Sequence, residues 1–239
     1  MKDRNALIKK INKKLIERFG IPYRAEIPPD PLDMILATIL SQNTNDKNSY
    51  KAFQNLKTEY ETWEKVRTAN VASIENAIRV AGLGKQKSNA IKNLLSELFE
   101  KRGALSLDFI RDEKSDDALV YLSSFKGIGI KTASCVLLFA LEKDVCPVDT
   151  HVHRIVNRIG IVSEKDRDKT YFSLNKKFPK GVAHPFHTNL IRLGRQICKP
   201  KNPACKVCPI EKLCNYEVKN FEDVNIPERN DFMLLDHVN

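Results

Sequence analysis

The chain has 239 residues and is 42% apolar, enough for one large or two small globular domains with real cores and no need of disulfide staples. Forty Lys plus Arg against thirty Asp plus Glu give a net charge of +10, and residues 215–239 hold six acids and two bases, so residues 1–214 carry +14, a balance that attracts polyanions such as nucleic acid. No stretch reaches eighteen apolar residues and the first residues run into a polar helical pattern, so neither a spanning segment nor an export signal is expected, and the reducing cytoplasm, near the nucleoid, is the expected compartment.

Helical periodicity dominates and strand-type alternation is nearly absent, which predicts an all-α fold. Leu7, Ile8, Ile11, Leu15 and Phe19 share one face of a first helix, followed by the Pro-rich linker Ile27 to Pro31. Asp30 and Pro31 supply an N-cap and a first-turn proline for a helix over Leu32 to Leu40, and Asp46 is expected to open the next, with Tyr50, Phe53 and Leu56 inside. Ile74, Ala77 and Ile78 end at Gly82; Ile91, Leu94, Leu95 and Leu98 end near Gly103; Ser115 is expected to cap Leu119 and Leu122. About six helices with short connections between residues 31 and 141 make a compact bundle. A second helical group carries Val152, Ile155, Val156 and Ile159, then Tyr171 to Phe178, then Leu190, Ile191, Leu193 and Ile197, with the N-terminal helix as its packing partner. Residues 215–239 lack a sustained apolar face and are expected to be a loosely attached tail, with Phe232 to Leu235 as its one docking candidate.

Between two of these helices lies Phe125-Lys126-Gly127-Ile128-Gly129-Ile130-Lys131-Thr132-Ala133. Gly127 and Gly129 permit a sharp turn with positive φ and leave backbone N–H groups uncovered at the next helix start, where its partial positive charge can hold a phosphate. A tight helix connection is the plain alternative; followed by Lys-Thr-Ala and an apolar helix in a basic chain, the pattern reads as a helix-hairpin-helix that binds DNA. Lys131 sits in the first turn of that helix, where the macrodipole and nearby Lys126 both disfavour a cation and so favour a nucleophilic amine. Eighteen residues on, Pro147-Val148-Asp149-Thr150-His151 puts Asp149 where an N-cap belongs. His151 and His153, two apart on a helix, point to different faces and are not expected to share a metal. Cys135, in an apolar run, reads as a small buried hydrophobe, and Cys146 has no assignment.

Cys198, Cys205, Cys208 and Cys214 follow the spacing C-x6-C-x2-C-x5-C. Four soft thiolates leave zinc or an iron–sulfur cluster as guests, and a single C-x2-C pair with two outlying cysteines favours a [4Fe-4S] cluster over a zinc knuckle.

Hairpin, lysine, Val-Asp-Thr-His and the four-cysteine loop, in this order, resemble the endonuclease III family of DNA glycosylases over roughly residues 30–214, as does His187-x2-Leu190-Ile191-x2-Gly194-Arg195-x2-Cys198. The resemblance implies a six-helix barrel domain over residues 30–142 with the helix-hairpin-helix at about 115–141, a [4Fe-4S] cluster domain from residues 1–29 and 143–216, and a C-terminal tail over 217–239. It implies a monomer acting on double-stranded DNA that contains a damaged base or abasic site, with no membrane partner. Lys131 would be the nucleophile, Asp149 the catalytic carboxylate, and the four cysteines the cluster ligands. Leu83 matches the family's wedge leucine. The inserting glutamine falls on Asn43, with Gln42 adjacent, and Lys126 stands where the family usually has proline. Lys199 and Lys201, in the cysteine loop, are placed to touch phosphates. The implied activity is a glycosylase with abasic-site β-lyase activity on damaged, first of all oxidised, pyrimidines. A mismatch-specific uracil or thymine glycosylase and a non-catalytic DNA-binding module are the alternatives.

Overall fold

The computed structural model describes residues 3–226 and 233–238. Among them are eleven α-helices, joined by loops and short 3-10 turns, and no strand. In chain order they are α1 (Arg4–Phe19), α2 (Pro31–Leu40), α3 (Asp46–Tyr60), α4 (Trp63–Thr68), α5 (Val71–Ile78), α6 (Gly84–Arg102), α7 (Ser115–Ser123), α8 (Ile130–Phe139), α9 (Thr150–Ile159), α10 (Arg167–Asn175) and α11 (Ala183–Gln196). None is long and apolar enough to cross a membrane. The described residues divide into two compact units, one within Arg24–Lys143 and Phe232–Asn239, the other within Met1–Tyr23 and Asp144–Asp231.

The centre of the first unit is α2, buried over its whole length, as expected of a helix apolar on every side. Asp30 caps it, accepting from the N–H groups of Leu32 and Asp33 at 2.7 and 3.1 Å, and Pro31 occupies the first turn, where its missing N–H costs nothing. It packs against α8, buried from Thr132 to Phe139, and against α3 and α6. The six-residue α4 escapes a periodicity search because it is shorter than two turns. It is fixed instead by the Thr62 cap, by buried Val66 and by the Trp63 indole, whose N–H reaches Asp33 Oδ1 at 2.6 Å. Two expected caps sit elsewhere. Asn45, not Asp46, accepts from the α3 backbone at Asn48. Ser115 is the first residue of α7 and caps nothing; Asp116 and Asp117 in that first turn complement the helix dipole instead.

The C-terminal segment departs from the loose tail expected of it. Met233, Leu234 and Val238 are buried, the short turn at Leu234–Asp236 lies against α2 and α3, and the Leu234 N–H donates to Asp46 Oδ1 at 3.1 Å. The docking candidate within Phe232 to Leu235 is thus used at Met233 and Leu234, whereas Val238, an isolated apolar residue with no periodic signal, is revealed only by its burial. Phe232, also a docking candidate, lies outside the described residues.

In the second unit α1 buries Ile8, Ile11, Leu15 and Phe19 against α11, the partner its pattern called for, and the Asn189 amide of α11 donates to the Gly20 carbonyl at 3.0 Å. Helices α9 and α11 meet closely at Gly194. A Cβ there would lie 2.6 Å from His151 Nδ1 and 2.8 Å from its Cβ. Gly194→Ala should therefore cost about 1–3 kcal/mol and lower Tm by several degrees in a thermal melt, since overpacking forces the two helices apart.

Candidate active site

The hairpin between α7 and α8 is anchored by two buried side chains, Phe125 and Ile128, whose backbones bond at 3.0 Å, and by the near-perpendicular packing of the Tyr121 and Phe125 rings. Of the two glycines expected at positive φ, only Gly127 uses it, at +90°; Gly129 is extended at −92°. A Cβ at Gly129 would meet nothing within 4 Å. The fold itself therefore does not demand glycine there. No side chain caps α8, which leaves its first N–H groups and their partial positive charge open. Gly129→Ala should thus change stability by under about 1 kcal/mol, a weaker N-cap being its one local cost. In a fluorescence-anisotropy titration it should weaken DNA binding by about tenfold, by blocking close backbone approach.

Lys131 follows directly in the first turn of α8, half-buried, while Lys126 is exposed. The loop after α2 is tied to the same helix: Gln42 Nε2 donates to Thr132 Oγ1 at 3.4 Å. Its neighbour Asn43 is exposed and left-handed, at φ +52°. Leu83 is left-handed too, at φ +50°, and 48% exposed, between Gly82 at φ +68° and Gly84, over which Glu75 packs. The first unit thus holds Gln42, Asn43, Leu83, Lys126, Gly127, Gly129 and Lys131.

Asp149, Lys199, Lys201 and the four cysteines belong to the second unit. Asp149 does cap α9, Oδ1 accepting from the Val152 N–H at 2.8 Å, and is half-buried. The residues before it are clamped. Asn175 of α10 accepts from the Cys146 N–H at 2.7 Å and donates to its carbonyl at 3.0 Å, and His187 Nδ1 of α11 lies 3.0 Å from the Pro147 carbonyl. Cys146 is therefore a buried anchor of the segment leading to Asp149, and Cys135 is buried in α8. His151 and His153 have separate surroundings: burial lowers the pKa of His151 beside Gly194, while His153 Nδ1 meets Thr170 Oγ1 at 2.8 Å.

Cys198 follows the end of α11, and Cys205, Cys208 and Cys214 lie on or beside two short 3-10 turns; none of the four is in a disulfide. All four line one small cavity of about 20 Å³ with Ile155, Ile159, Leu193 and Ile197, partly open to solvent. Among the described residues no three His, Cys, Asp or Glu side chains gather tightly enough for a single metal ion. The thiols ring the space instead. Burial pushes the Cys208 thiol up to about 12 and raises Cys214, so these side chains are neutral until a cation compensates them. Arg154 and Arg158, one turn apart on α9, escaped the sequence reading although their i, i+4 spacing was visible. Arg154 donates to the Cys198 carbonyl at 3.0 and 2.8 Å, and Arg158 to Cys198 Sγ at 3.3 Å and to the Lys199 carbonyl at 2.8 Å. Lys199 is half-buried and Lys201 exposed.

Residues 36–180 match the model of the HhH-GPD superfamily base excision DNA repair proteins. The chain belongs to this superfamily. Endonuclease III of Thermotoga maritima is 32% identical over 88% of this HhH-GPD chain and 93% of its own length. A protein of Arabidopsis thaliana named as a DNA glycosylase is 41% identical over 75% of this chain, which spans 64% of that relative's length. A structure described as a trapped endonuclease III–DNA covalent intermediate superimposes with a TM-score of 0.73 at 26% identity, covering 90% of this chain and 96% of that one.

Proposed function

We propose that the protein removes a damaged base, an oxidised pyrimidine by preference, from double-stranded DNA and then nicks the strand at the abasic site through a lysine Schiff base. The observation that carries this reading is Lys131, half-buried in the first turn of a helix whose uncapped N-terminus follows the glycine hairpin. The covalently trapped endonuclease III complex, a structure similar to this chain, supports the lyase step.

The +14 of residues 1–214 draws the chain to DNA without regard to sequence, and the open N–H groups at Gly129 to Lys131 bind a backbone phosphate. A base within the stack is out of reach, so the nucleotide is extruded, and the exposed Leu83 and Asn43 fill the space it leaves. As the C1′–N bond breaks, the base leaves with the bonding pair and Asp149 stabilises the positive charge developing on the sugar. The Lys131 lone pair forms a new bond to C1′, a proton passes from that nitrogen to O4′ as the C1′–O4′ bond breaks and the ring opens, and an iminium results. Loss of the C2′ proton then expels the 3′ phosphate by β-elimination, breaking the C3′–O bond.

Cys198, Cys205, Cys208 and Cys214 would hold a [4Fe-4S] cluster: four soft donors ring one apolar-walled space, and Arg158 already points an N–H at Cys198 Sγ. A bound cluster would tie the end of α11 to the loop through Cys214 and so order Lys199 and Lys201 for phosphate contact. Purified protein should be brown, with about four iron and four sulfide per chain, and Cys208→Ser should lose most of that iron. Colourless protein that contains zinc would reject the cluster.

Duplexes carrying single lesions test the activity. Free base together with a 3′ nick at an oxidised pyrimidine is the expected result. Base release from mismatched thymine or uracil alone would reassign the substrate, and binding without release would leave a non-catalytic module.

A further inference from the structure

The largest polar side chain buried in the first unit is that of Lys87 on α6, 1% exposed. An amine in a core is costly unless its protons are placed, and burial holds this one down at about 8. Its bonds fall at two particular points. Nζ donates at 2.8 Å to the carbonyl of Leu40, the last residue of α2, and at 2.9 Å to that of Ala81, the last before Gly82. The Lys87 backbone N–H donates in addition to the Leu83 carbonyl at 3.0 Å. One residue therefore holds the roots of two loops, the one that runs through Asn43 and the one that carries Leu83. Both tips are non-glycine residues in the left-handed region, a conformation that persists only where the surroundings over-determine it. Both are also exposed, so solvent does not hold them in place.

We propose that Lys87 is a positioning residue for nucleotide extrusion: its amine locks the loops of Asn43 and Leu83 at one spacing, so that both side chains enter the duplex together. This rests on the reading of those loops as the inserting ones. Lys87 touches no substrate; it acts by keeping the end of α2, the 3-10 turn that ends at Ala81, and their loops from moving independently. Preorganisation of this kind is felt where DNA must be distorted and not where it is merely held by its phosphates.

The test compares affinity for an undamaged duplex with affinity for one containing a tetrahydrofuran abasic analogue, which cannot be cleaved. Wild type should prefer the analogue. Lys87→Met should bind the undamaged duplex as wild type does, with the same salt dependence, and lose about tenfold on the analogue. In a background of Asn43→Ala with Leu83→Ala the same substitution should cost nothing further, because the side chains it positions are gone. Should Lys87→Met fail to fold by thermal melt, Lys87→Gln, too short to bridge both carbonyls, serves with the same expected losses. Equal loss on both duplexes, an unchanged preference for the analogue, or a full loss that persists in the double-alanine background would overturn the inference. A wild type with no preference at all would instead sink the reading of the loops themselves, and the inference with it.

Discussion

Lys131→Ala should leave DNA binding near wild type while strand nicking at an abasic site falls by about a thousandfold or more, because the proposed reaction takes its imine nitrogen from Lys131. The fold should survive. Lys131 is only half-buried, its carbonyl keeps its bond from the Ser134 hydroxyl, and alanine is a better helix former. Removing a cation from the first turn should even stabilise α8 by about 0.3–1 kcal/mol, since the dipole there favours negative charge. The measurement is a gel assay of nicking on a preformed abasic duplex beside a thermal melt. Lost nicking at unchanged or raised Tm is the expected pair of results; parallel loss of both would make the lysine structural.

Asp149→Asn separates the cap that the carboxylate forms from the catalytic charge that the proposed reaction assigns to it. As a cap, asparagine is about as good as aspartate, so the bond from the Val152 N–H and the start of α9 should be retained and stability should change by under about 0.5 kcal/mol. As a charge, it is lost, and base release should slow by about a hundredfold to a thousandfold, the usual effect of removing one group that stabilises developing charge. Asp149→Ala should add about 1 kcal/mol of instability to the same loss of rate. Single-turnover release of a damaged base, measured for both variants, decides the matter. An Asn variant as fast as wild type would leave Asp149 as nothing more than a cap.

Much of this was legible in the sequence because it is local. The Asp30-Pro31 start, the Asp149 cap and the uncapped α8 depend on residues within one turn of each other, where backbone N–H groups must find a partner or remain open. The α1 face of Ile8, Ile11, Leu15 and Phe19 was readable as needing a partner because its period is helical. The misses share a different character. Burial of Val238, the clamp of Asn175 and His187 behind Asp149, and the buried amine of Lys87 all join residues distant along the chain. A basic chain also hides one buried lysine among forty Lys plus Arg. At the hairpin the residue types were right, but the two glycines do different things: Gly127 relieves backbone strain, and Gly129 leaves room.

The central claim is that the Lys131 amine becomes covalently bonded to the sugar during turnover. The most direct measurement incubates wild-type protein with a duplex bearing one oxidised pyrimidine, adds borohydride, digests the trapped complex and maps the modified peptide by mass spectrometry. A single adduct on Lys131, absent from Lys131→Ala, is the expected result. Base release with no trapped species, or an adduct on any other amine, would contradict it.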